Sequence, residues 1–239
     1  MIKKTIKKLL RKKGWKLNKI IESKGYTNEK PRSELINAIS NSNGIIHMGA
    51  HRGGEAPIYD WFQKKVIWIE ANPNIFNDLS DNLRNYYNQK AYNYLLSKND
   101  DELIDFNISN NDGASSSIFQ FGKLSSGKNS LWKEKNLKMI DSIKVKSISF
   151  DSFVKKNNIE IQMYDHWVID LQGAELLVLE GAKNSLEKCK SIIVEVSNGD
   201  IYSGGAQWHQ VKSFLNKINF ENLWEIEKEH TSILFKKII

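Results

Sequence analysis

Short apolar runs alternate with amphipathic segments along most of the chain. Five runs have the character of buried strands, at 45–48, 65–70, 91–97, 166–170 and 192–196. The segments between them carry apolar residues at helical spacing, as Ile58, Trp61 and Phe62 do. Strands that alternate with helices predict a mostly parallel sheet with helices on both faces, so the pattern indicates an α/β fold.

The alternation is interrupted once and changes at the end. After the third run come short β segments at 103–108 and 143–148, and the stretch 109–130 between them is rich in Asn, Ser and Gly. A loop of that length is either a functional loop or a surface linker. A helix over 208–218 and two strands, 223–226 and 232–235, close the chain and are predicted to add an antiparallel pair.

Composition supports one soluble domain. The chain has 239 residues, 40% of them hydrophobic, and only three prolines. It lacks an apolar run of the roughly 20 residues that span a bilayer and lacks the pattern of a secretory signal, so we expect a cytoplasmic protein. A single cysteine, Cys189, excludes an intrachain disulfide and a cysteine-rich metal site.

The net charge of +7 is concentrated at the N-terminus. Residues 1–16 combine eight Lys and Arg with apolar residues in the pattern of a basic amphipathic helix. We therefore divide the chain into a basic helical segment, 1–40, and a domain, 41–239. The helix could lie on an anionic membrane, contact a polyanionic substrate or be solvated. Nucleic acid is disfavoured because aromatic residues do not alternate with the basic ones.

The first chemical signal is the stretch from His47 to Glu55, where an apolar strand turns through Gly49, Ala50, His51 and Gly53 into a helix. Such a turn brings the backbone close to a ligand. The glycine spacing matches neither the dinucleotide fingerprint nor the P-loop. The next strand ends in Glu70, in a position suited to a ribose. This combination favours S-adenosylmethionine, and a plain strand-to-helix turn is the alternative.

The second signal is the stretch 166–182, in which a buried strand ends at Asp170 and a turn through Gly173 leads into a helix. A carboxylate there can act in catalysis, hold a ligand or cap the helix. Glu195 ends the following strand in the same way. Asp170 and Glu195 could share a Mg²⁺ ion, but the metal-free interpretation is favoured because paired acids at strand ends more often hold hydroxyl groups.

Together these segments resemble the FkbM-type family of class I S-adenosylmethionine-dependent methyltransferases. The likeness covers 44–235 and rests on four motifs: Gly49-Ala50-His51-x-Gly53-x-Glu55, Ile69-Glu70-Ala71-Asn72-Pro73, Ala114-Ser115-Ser116-Ser117, and 169–182. It implies a Rossmann-like fold whose mostly parallel seven-stranded sheet ends in an antiparallel hairpin strand.

The resemblance also implies the roles of individual residues. Glu70, with Ala71 and Asn72, would hold the ribose, Ser97 would lie near the adenine, and Asp170 and Gln172 would border the transferable methyl. His47 stands where family members commonly carry Asp, so an acid contact to the cofactor's amino group would need another group such as Glu55. The full set of predicted cofactor-binding residues is His47, Gly49, Ala50, His51, Gly53, Glu55, Glu70, Ala71, Asn72, Ser97, Asp170 and Gln172.

The implied reaction is O-methylation of a hydroxyl on a sugar, glycan or small natural product. We predict Asp170 as the general base or the group that orients the acceptor, with Glu195 and His209 as second choices. Ser115, Ser116, Ser117 and Tyr202 are predicted to contact the acceptor. The alternative is a non-catalytic scaffold with a methyltransferase fold. Such a scaffold would bind the cofactor or be recruited to a membrane through residues 1–16. The sequence does not indicate an oligomeric state.

Overall fold

The computed structural model describes residues 33–128 and 130–238. The predicted basic helix at 1–16, and most of the segment 1–40, lie outside these residues. Residues 34–239 cluster into a single compact unit. Among the helices described, none is long and apolar enough to cross a membrane.

The strands and helices alternate as the apolar pattern predicts. In chain order the strands are β1 (Gly44–Met48), β2 (Lys65–Glu70), β3 (Gln89–Asn93), β4 (Leu95–Ser97), β5 (Leu103–Ser109), β6 (Met139–Ser149), β7 (His166–Ile169), β8 (Ser191–Ser197), β9 (Phe220–Asn222) and β10 (His230–Lys237). The α-helices are α1 (Ser33–Asn41), α2 (Ala56–Trp61), α3 (Pro73–Asn82), α4 (Phe150–Lys156), α5 (Glu175–Glu180) and α6 (Trp208–Lys217). Short 3₁₀ turns occupy 83–85, 133–135, 161–163 and 185–188.

Seven strands form the main sheet in the order β3-β2-β1-β7-β8-β10-β9. The first five are parallel, and β10 runs antiparallel to both β8 and β9. This confirms the predicted fold class. The chain order reverses between β1 and β7, and ligands of open α/β sheets bind at such a switch point, beyond the carboxyl ends of the strands. The strand predicted at 223–226 lies earlier, at β9.

The predicted third strand, 91–97, is wrong as a single element. It is β3 in the main sheet followed by β4 in a separate three-stranded sheet of order β4-β6-β5. The break lies where β2 ends: Tyr94 N makes the last bond to that strand, at the carbonyl of Glu70, which Asn93 Nδ2 also contacts, and from Leu95 the chain pairs with β6. Ser97, predicted near the adenine, therefore pairs with Ser149 of β6.

The core has two layers, one on each face of the main sheet. Ile46 and Met48 of β1 face a layer with Trp167 and Phe150, whereas Ile45 belongs to the layer around Trp68. This division follows from the alternation of side chains along a strand.

The same alternation corrects the assignment of His47 to the cofactor. Its ring is only 5% exposed, stacks on Trp68 with centroids 4.6 Å apart, and has its Nδ1 3.2 Å from the Tyr59 hydroxyl oxygen. Burial lowers the pKa of His47 to about 3. The His47 side chain is therefore a neutral packing group beneath the first turn.

Candidate active site

The first turn joins the ends of β1 and β2. Gly49 has a φ of +82°, and the amides of Gly49 and Ala50 both donate to the carbonyl of Ile69 at 3.0 and 3.1 Å. The next amide, of His51, donates to Glu70 Oε2 at 2.8 Å, and Asn72 N donates to Glu70 Oε1 at 2.8 Å. The Glu70 carboxylate thus lies between the two turns that follow adjacent strands.

Glu70 is suited to a ribose diol. Burial raises its pKa, while the backbone donors of Asn72 and His51 oppose that rise. Each carboxylate oxygen receives one amide and keeps acceptor capacity for a hydroxyl. Asn72 itself caps α3, because its Oδ1 accepts from Asn74 N at 3.0 Å. Asn93, the last residue of β3, was not predicted, and its Nδ2 donates to the carbonyls of Glu70 and Ala71.

The two turns identified from the sequence lie against each other. A Cβ added to Gly49 would stand 1.7 Å from the carbonyl oxygen of Asp170. Asp170 N also donates to the carbonyl of Met48 at 3.0 Å. The glycine turn therefore approaches the second turn as closely as backbone permits, and with Glu70 it forms a cradle that fits a nucleoside-bearing donor.

Other residues predicted at the first turn differ in their surroundings. The His51 ring has Nε2 3.1 Å from the carbonyl of Asp112, so the long loop approaches this turn. Gly53, at a φ of +71°, leaves room for Leu79 of α3. Glu55 is exposed and its side chain makes no capping hydrogen bond to α2. Gly53 therefore packs against α3, and the predicted cofactor contacts of Gly53 and Glu55 stay predictions.

Glu175, which the sequence analysis did not assign, closes the second turn. Its Oε1 accepts from Leu171 N at 2.9 Å and from Gly173 N at 3.1 Å. Burial raises the pKa of Glu175 to about 7. An acid in the first turn of a helix that follows a strand was the signal for this role. Since Glu175 satisfies these amides, the carboxyl group of Asp170 is left for other contacts.

Asp170 and Glu195 form a carboxyl pair, as the ends of adjacent parallel strands predict. Gln172 Nε2 donates to Asp170 Oδ1 and, at 2.8 Å, to Glu195 Oε2. Burial and the neighbouring Glu195 raise the pKa of Asp170 well above its usual value. Burial and the charge of Glu175 raise the pKa of Glu195 to about 8. Because like charges this close do not both ionise, the pair keeps one proton and gains its single negative charge as the pH rises through about 8.

The histidine beside this pair is His230, whereas the predicted His209 lies elsewhere. His230 Nε2 lies 2.9 Å from Glu195 Oε1. His209 is exposed on α6. The buried face of α6, with Trp208 and Val211, packs on the core layer that contains Trp167 and Phe150. Glu195 projects from the other face of the sheet, because it alternates with Val194 and Val196 of that layer. The sequence alone could not identify His230, because only the antiparallel register of β10 on β8 brings it to Glu195.

Two loops cover the second turn and meet on Gln172. Ser117 Oγ donates to the backbone oxygen of Gln172 at 2.7 Å, and the Tyr202 hydroxyl donates to its side-chain Oε1. Ser115 and Ser116, in contrast, form hydrogen bonds with Asn111 and Ser109 inside their own loop. Of the residues predicted to contact the acceptor, Ser117 and Tyr202 are therefore those that bond Gln172, the neighbour of the carboxyl pair.

The two loops also pair with each other. Gly122 N and Ser125 Oγ donate to the carbonyl of Ile201 at 2.8 and 2.6 Å, and Leu124 N donates to the carbonyl of Asp200 at 2.9 Å. A Cβ at Gly122 would stand 2.2 Å from that Asp200 oxygen. The part of this stretch from Gly122 to Ser125 is thus held against the loop at Asp200 and Ile201.

A metal arrangement receives no support from the geometry. In the part of the chain that the structure describes, no three His, Cys, Asp or Glu side chains are grouped to hold an ion. The facing oxygens of Asp170 and Glu195 are engaged by the amide of Gln172.

Comparison with known proteins identifies the family. A model of the methyltransferase FkbM domain matches residues 47–221, whereas no curated protein sequence matches the chain. Among solved structures, a TehB-like S-adenosylmethionine-dependent methyltransferase from Corynebacterium glutamicum is 11% identical, with a TM-score of 0.43 and 86% of each chain covered.

Two further structures are similar at the same level. An rRNA methylase from Streptococcus thermophilus is 10% identical, with a TM-score of 0.45 over 89% of this chain and 99% of that one. Magnesium protoporphyrin IX methyltransferase from Synechocystis PCC 6803, with bound S-adenosylmethionine, is 6% identical, with a TM-score of 0.43 over 85% of this chain and 74% of that one.

Proposed function

We propose an alcohol O-methyltransferase activity for this chain, which belongs to the FkbM family of S-adenosylmethionine-dependent methyltransferases. The observation that carries the proposal is the partly buried carboxyl pair of Asp170 and Glu195, in which the backbone of Asp170 lies directly against the glycine turn. S-adenosylmethionine, when bound, supplies a methyl group on a positively charged sulfur. Glu70 and the turn at Gly49 would hold it, with Ala50 and His51 beside them.

The carboxyl pair suits the removal of a hydroxyl proton. Methyl transfer from a sulfonium is an in-line displacement, so the protein has to align the acceptor oxygen and take its proton. A pair that shares one proton carries one negative charge and becomes neutral when it accepts a second. The raised pKa of Glu195, about 8, lies near the working pH, where a general base is most effective.

The surroundings of the pair favour a polyhydroxylated acceptor such as a carbohydrate. Carboxyl and amide oxygens of Asp170 and Gln172 can accept from neighbouring hydroxyls, and Tyr202 and Ser117 add hydroxyl groups on the adjoining loops. Trp132, half-buried beside His230, offers an aromatic face of the kind on which sugar rings stack. Pocket walls with few polar groups would instead favour an apolar acceptor.

A transfer screen combined with one variant tests the proposal. The wild type is incubated with S-adenosylmethionine and panels of glycans, nucleotide sugars and small alcohols, and methylated products are detected by mass. The variant Asp170→Asn should lose at least about 100-fold in turnover, as general bases commonly contribute, while its affinity for the cofactor changes little. Near-normal turnover in Asp170→Asn would refute the role of this carboxyl group.

A cofactor-binding scaffold without chemistry is the second candidate. It is favoured by one feature, the presence of His47 in the core where the family commonly has Asp. Calorimetry separates the candidates: a scaffold that binds cofactor would bind S-adenosylmethionine but give no product in the screen, whereas a scaffold that has lost the site would bind neither the cofactor nor S-adenosylhomocysteine.

A further inference from the structure

His230 contacts Glu195 of the carboxyl pair and was not identified from the sequence. It lies opposite Ser197 in the register of β10 on β8, and Glu195 lies opposite Ser232. Residues two apart on a strand share a face, so His230, Glu195 and Ser197 project together. His230 Nε2 is 2.9 Å from Glu195 Oε1, and Nδ1 is 3.0 Å from Ser197 Oγ.

These contacts favour one tautomer of His230. A neutral imidazole has one N–H donor and one acceptor nitrogen. The Ser197 hydroxyl can donate to Nδ1, and Nε2 then carries the hydrogen that is donated to Glu195. The other oxygen of Glu195 receives the amide of Gln172 at 2.8 Å. Glu195 is thus held by N–H donors on both oxygens, an arrangement that stabilises its carboxylate form and leaves the shared proton to Asp170.

We infer that His230 is a positioning residue that keeps one negative charge on the Asp170–Glu195 pair, and that this charge selects the cationic methyl donor over its neutral product. The inference rests on the proposed function. His230 acts through Glu195 and touches neither donor nor acceptor in this account. During transfer the acceptor O–H bond breaks, its oxygen bonds the methyl carbon and the sulfur–carbon bond breaks. Asp170 takes the acceptor proton as its own proton passes to Glu195, which leaves the pair neutral.

The charged groups around His230 agree with this role. Burial lowers the pKa of His230, while the carboxyl groups of Asp170 and Glu175 raise it. The ring is therefore neutral near pH 7 and acts by donating a hydrogen bond. On the loop side the Trp132 ring meets it edge-on at 5.6 Å, and Lys135 Nζ lies over that ring at 5.8 Å. The groups that face His230 are thus Glu195, Asp170, Glu175, Ser197 and Trp132 with its Lys135.

Calorimetry with S-adenosylmethionine and S-adenosylhomocysteine tests the inference without a known acceptor. The two ligands differ by the methyl group and its positive charge. The titrations are made at about pH 9, above the pKa of about 8 of Glu195, so that the wild-type pair is charged. Loss of the donor in His230→Phe raises the proton affinity of the pair and leaves it neutral at that pH. For a sulfur bound within about 10 Å of the pair, a unit charge at an effective permittivity of about 20 would change affinity by a factor of about 10 or more. We therefore expect His230→Phe to weaken S-adenosylmethionine about tenfold and S-adenosylhomocysteine less than about twofold.

Three controls distinguish a charge effect from a structural one. His230→Gln keeps an N–H donor near the Nε2 position and should restore most of the selectivity. Ser232→Ala, an exposed position opposite Glu195, should behave as wild type. Raising the pH should restore selectivity in His230→Phe, because the pair then ionises without help.

Each outcome bears on a different claim. If the wild type binds neither ligand, the proposed function fails together with this inference. If the wild type binds both and His230→Phe keeps the wild-type ratio of affinities, only the inference about His230 is overturned. An equal loss of both ligands in His230→Phe, unchanged by pH, would show that the ring is structural and would also overturn it.

Discussion

The contact between the two turns can be tested by adding one methyl group. In Gly49→Ala the new Cβ would stand 1.7 Å from the Asp170 carbonyl oxygen, and real Cβ contacts do not fall below 3.0 Å. The turns would have to separate by the difference, 3.0 − 1.7 = 1.3 Å. The obstacle is backbone, which is fixed on the other side by the hydrogen bond from Asp170 N to the Met48 carbonyl. A change of rotamer cannot relieve it.

The cost has two parts. A φ of +82° is left-handed, and an Ala residue there costs about 1 kcal/mol. Overpacking of a close contact adds about 1–3 kcal/mol. A total of about 3 kcal/mol corresponds to a fall in Tm of about 6–12 °C for a domain of this size. Affinity for S-adenosylmethionine should fall by a factor of about 10 or more, since the cradle would widen by a large fraction of an atomic diameter.

Thermal unfolding and calorimetry with S-adenosylmethionine measure both effects. Gly54→Ala is the matched control, because its Cβ would meet no atom within 4 Å and its φ is not in the left-handed range. We expect Gly54→Ala to change stability by less than about 0.5 kcal/mol. If Gly49→Ala and Gly54→Ala had the same Tm and the same cofactor affinity, the two turns would not be in contact and the cradle described here would be wrong.

Three further variants examine other parts of the site. Glu70→Gln places an amide NH₂ group against a backbone N–H. In calorimetry, the affinities for S-adenosylmethionine and S-adenosylhomocysteine should both fall by a factor of about 10. Unchanged affinities would exclude Glu70 as the ribose ligand. Because burial raises the pKa of Glu175 from 4.5 to about 7, its contribution to stability is present below 4.5 and is lost as pH rises through 7. Glu175→Gln keeps the acceptor oxygen and should flatten that loss in denaturant titrations from pH 5 to pH 8, whereas an unaltered slope would contradict the assignment. His209→Gln, at an exposed position, should leave methyl transfer within about twofold of wild type in product assays, and a large loss would restore the sequence-based role of His209.

Much of the fold was accessible from the sequence because it depends on local periodicity. The ends of β1 at Met48 and β2 at Glu70, and the start of α5 at Glu175, agree with the apolar pattern. Their positions in a parallel sheet then follow, since strands separated by helices place their carboxyl ends at one edge. The same geometry places Asp170 and Glu195 close together.

The errors all involve information that periodicity lacks. His47 has the polar character of a ligand, but alternation along β1 turns it into the core against Trp68. The run 91–97 reads as one strand, yet its partner β2 ends at Glu70, and from Leu95 the chain pairs with β6 of the other sheet. His230 lies far from Glu195 in the sequence. Only the antiparallel register of β10 on β8 brings the two side chains together. Such pairings depend on tertiary structure and leave no local signal.

Gln172 explains why the acceptor loops and the carboxyl pair act as one unit. Its backbone is left-handed, at a φ of +54°, which turns its side chain across the end of β8. Through one amide it donates to Asp170 and Glu195 and accepts from Tyr202, while its backbone oxygen accepts from Ser117. An acceptor that displaces either loop must therefore alter the hydrogen bonds that set the charge of the pair. Binding of the acceptor and readiness to take its proton are coupled through this residue, so substitutions at Tyr202 should change turnover as well as acceptor affinity.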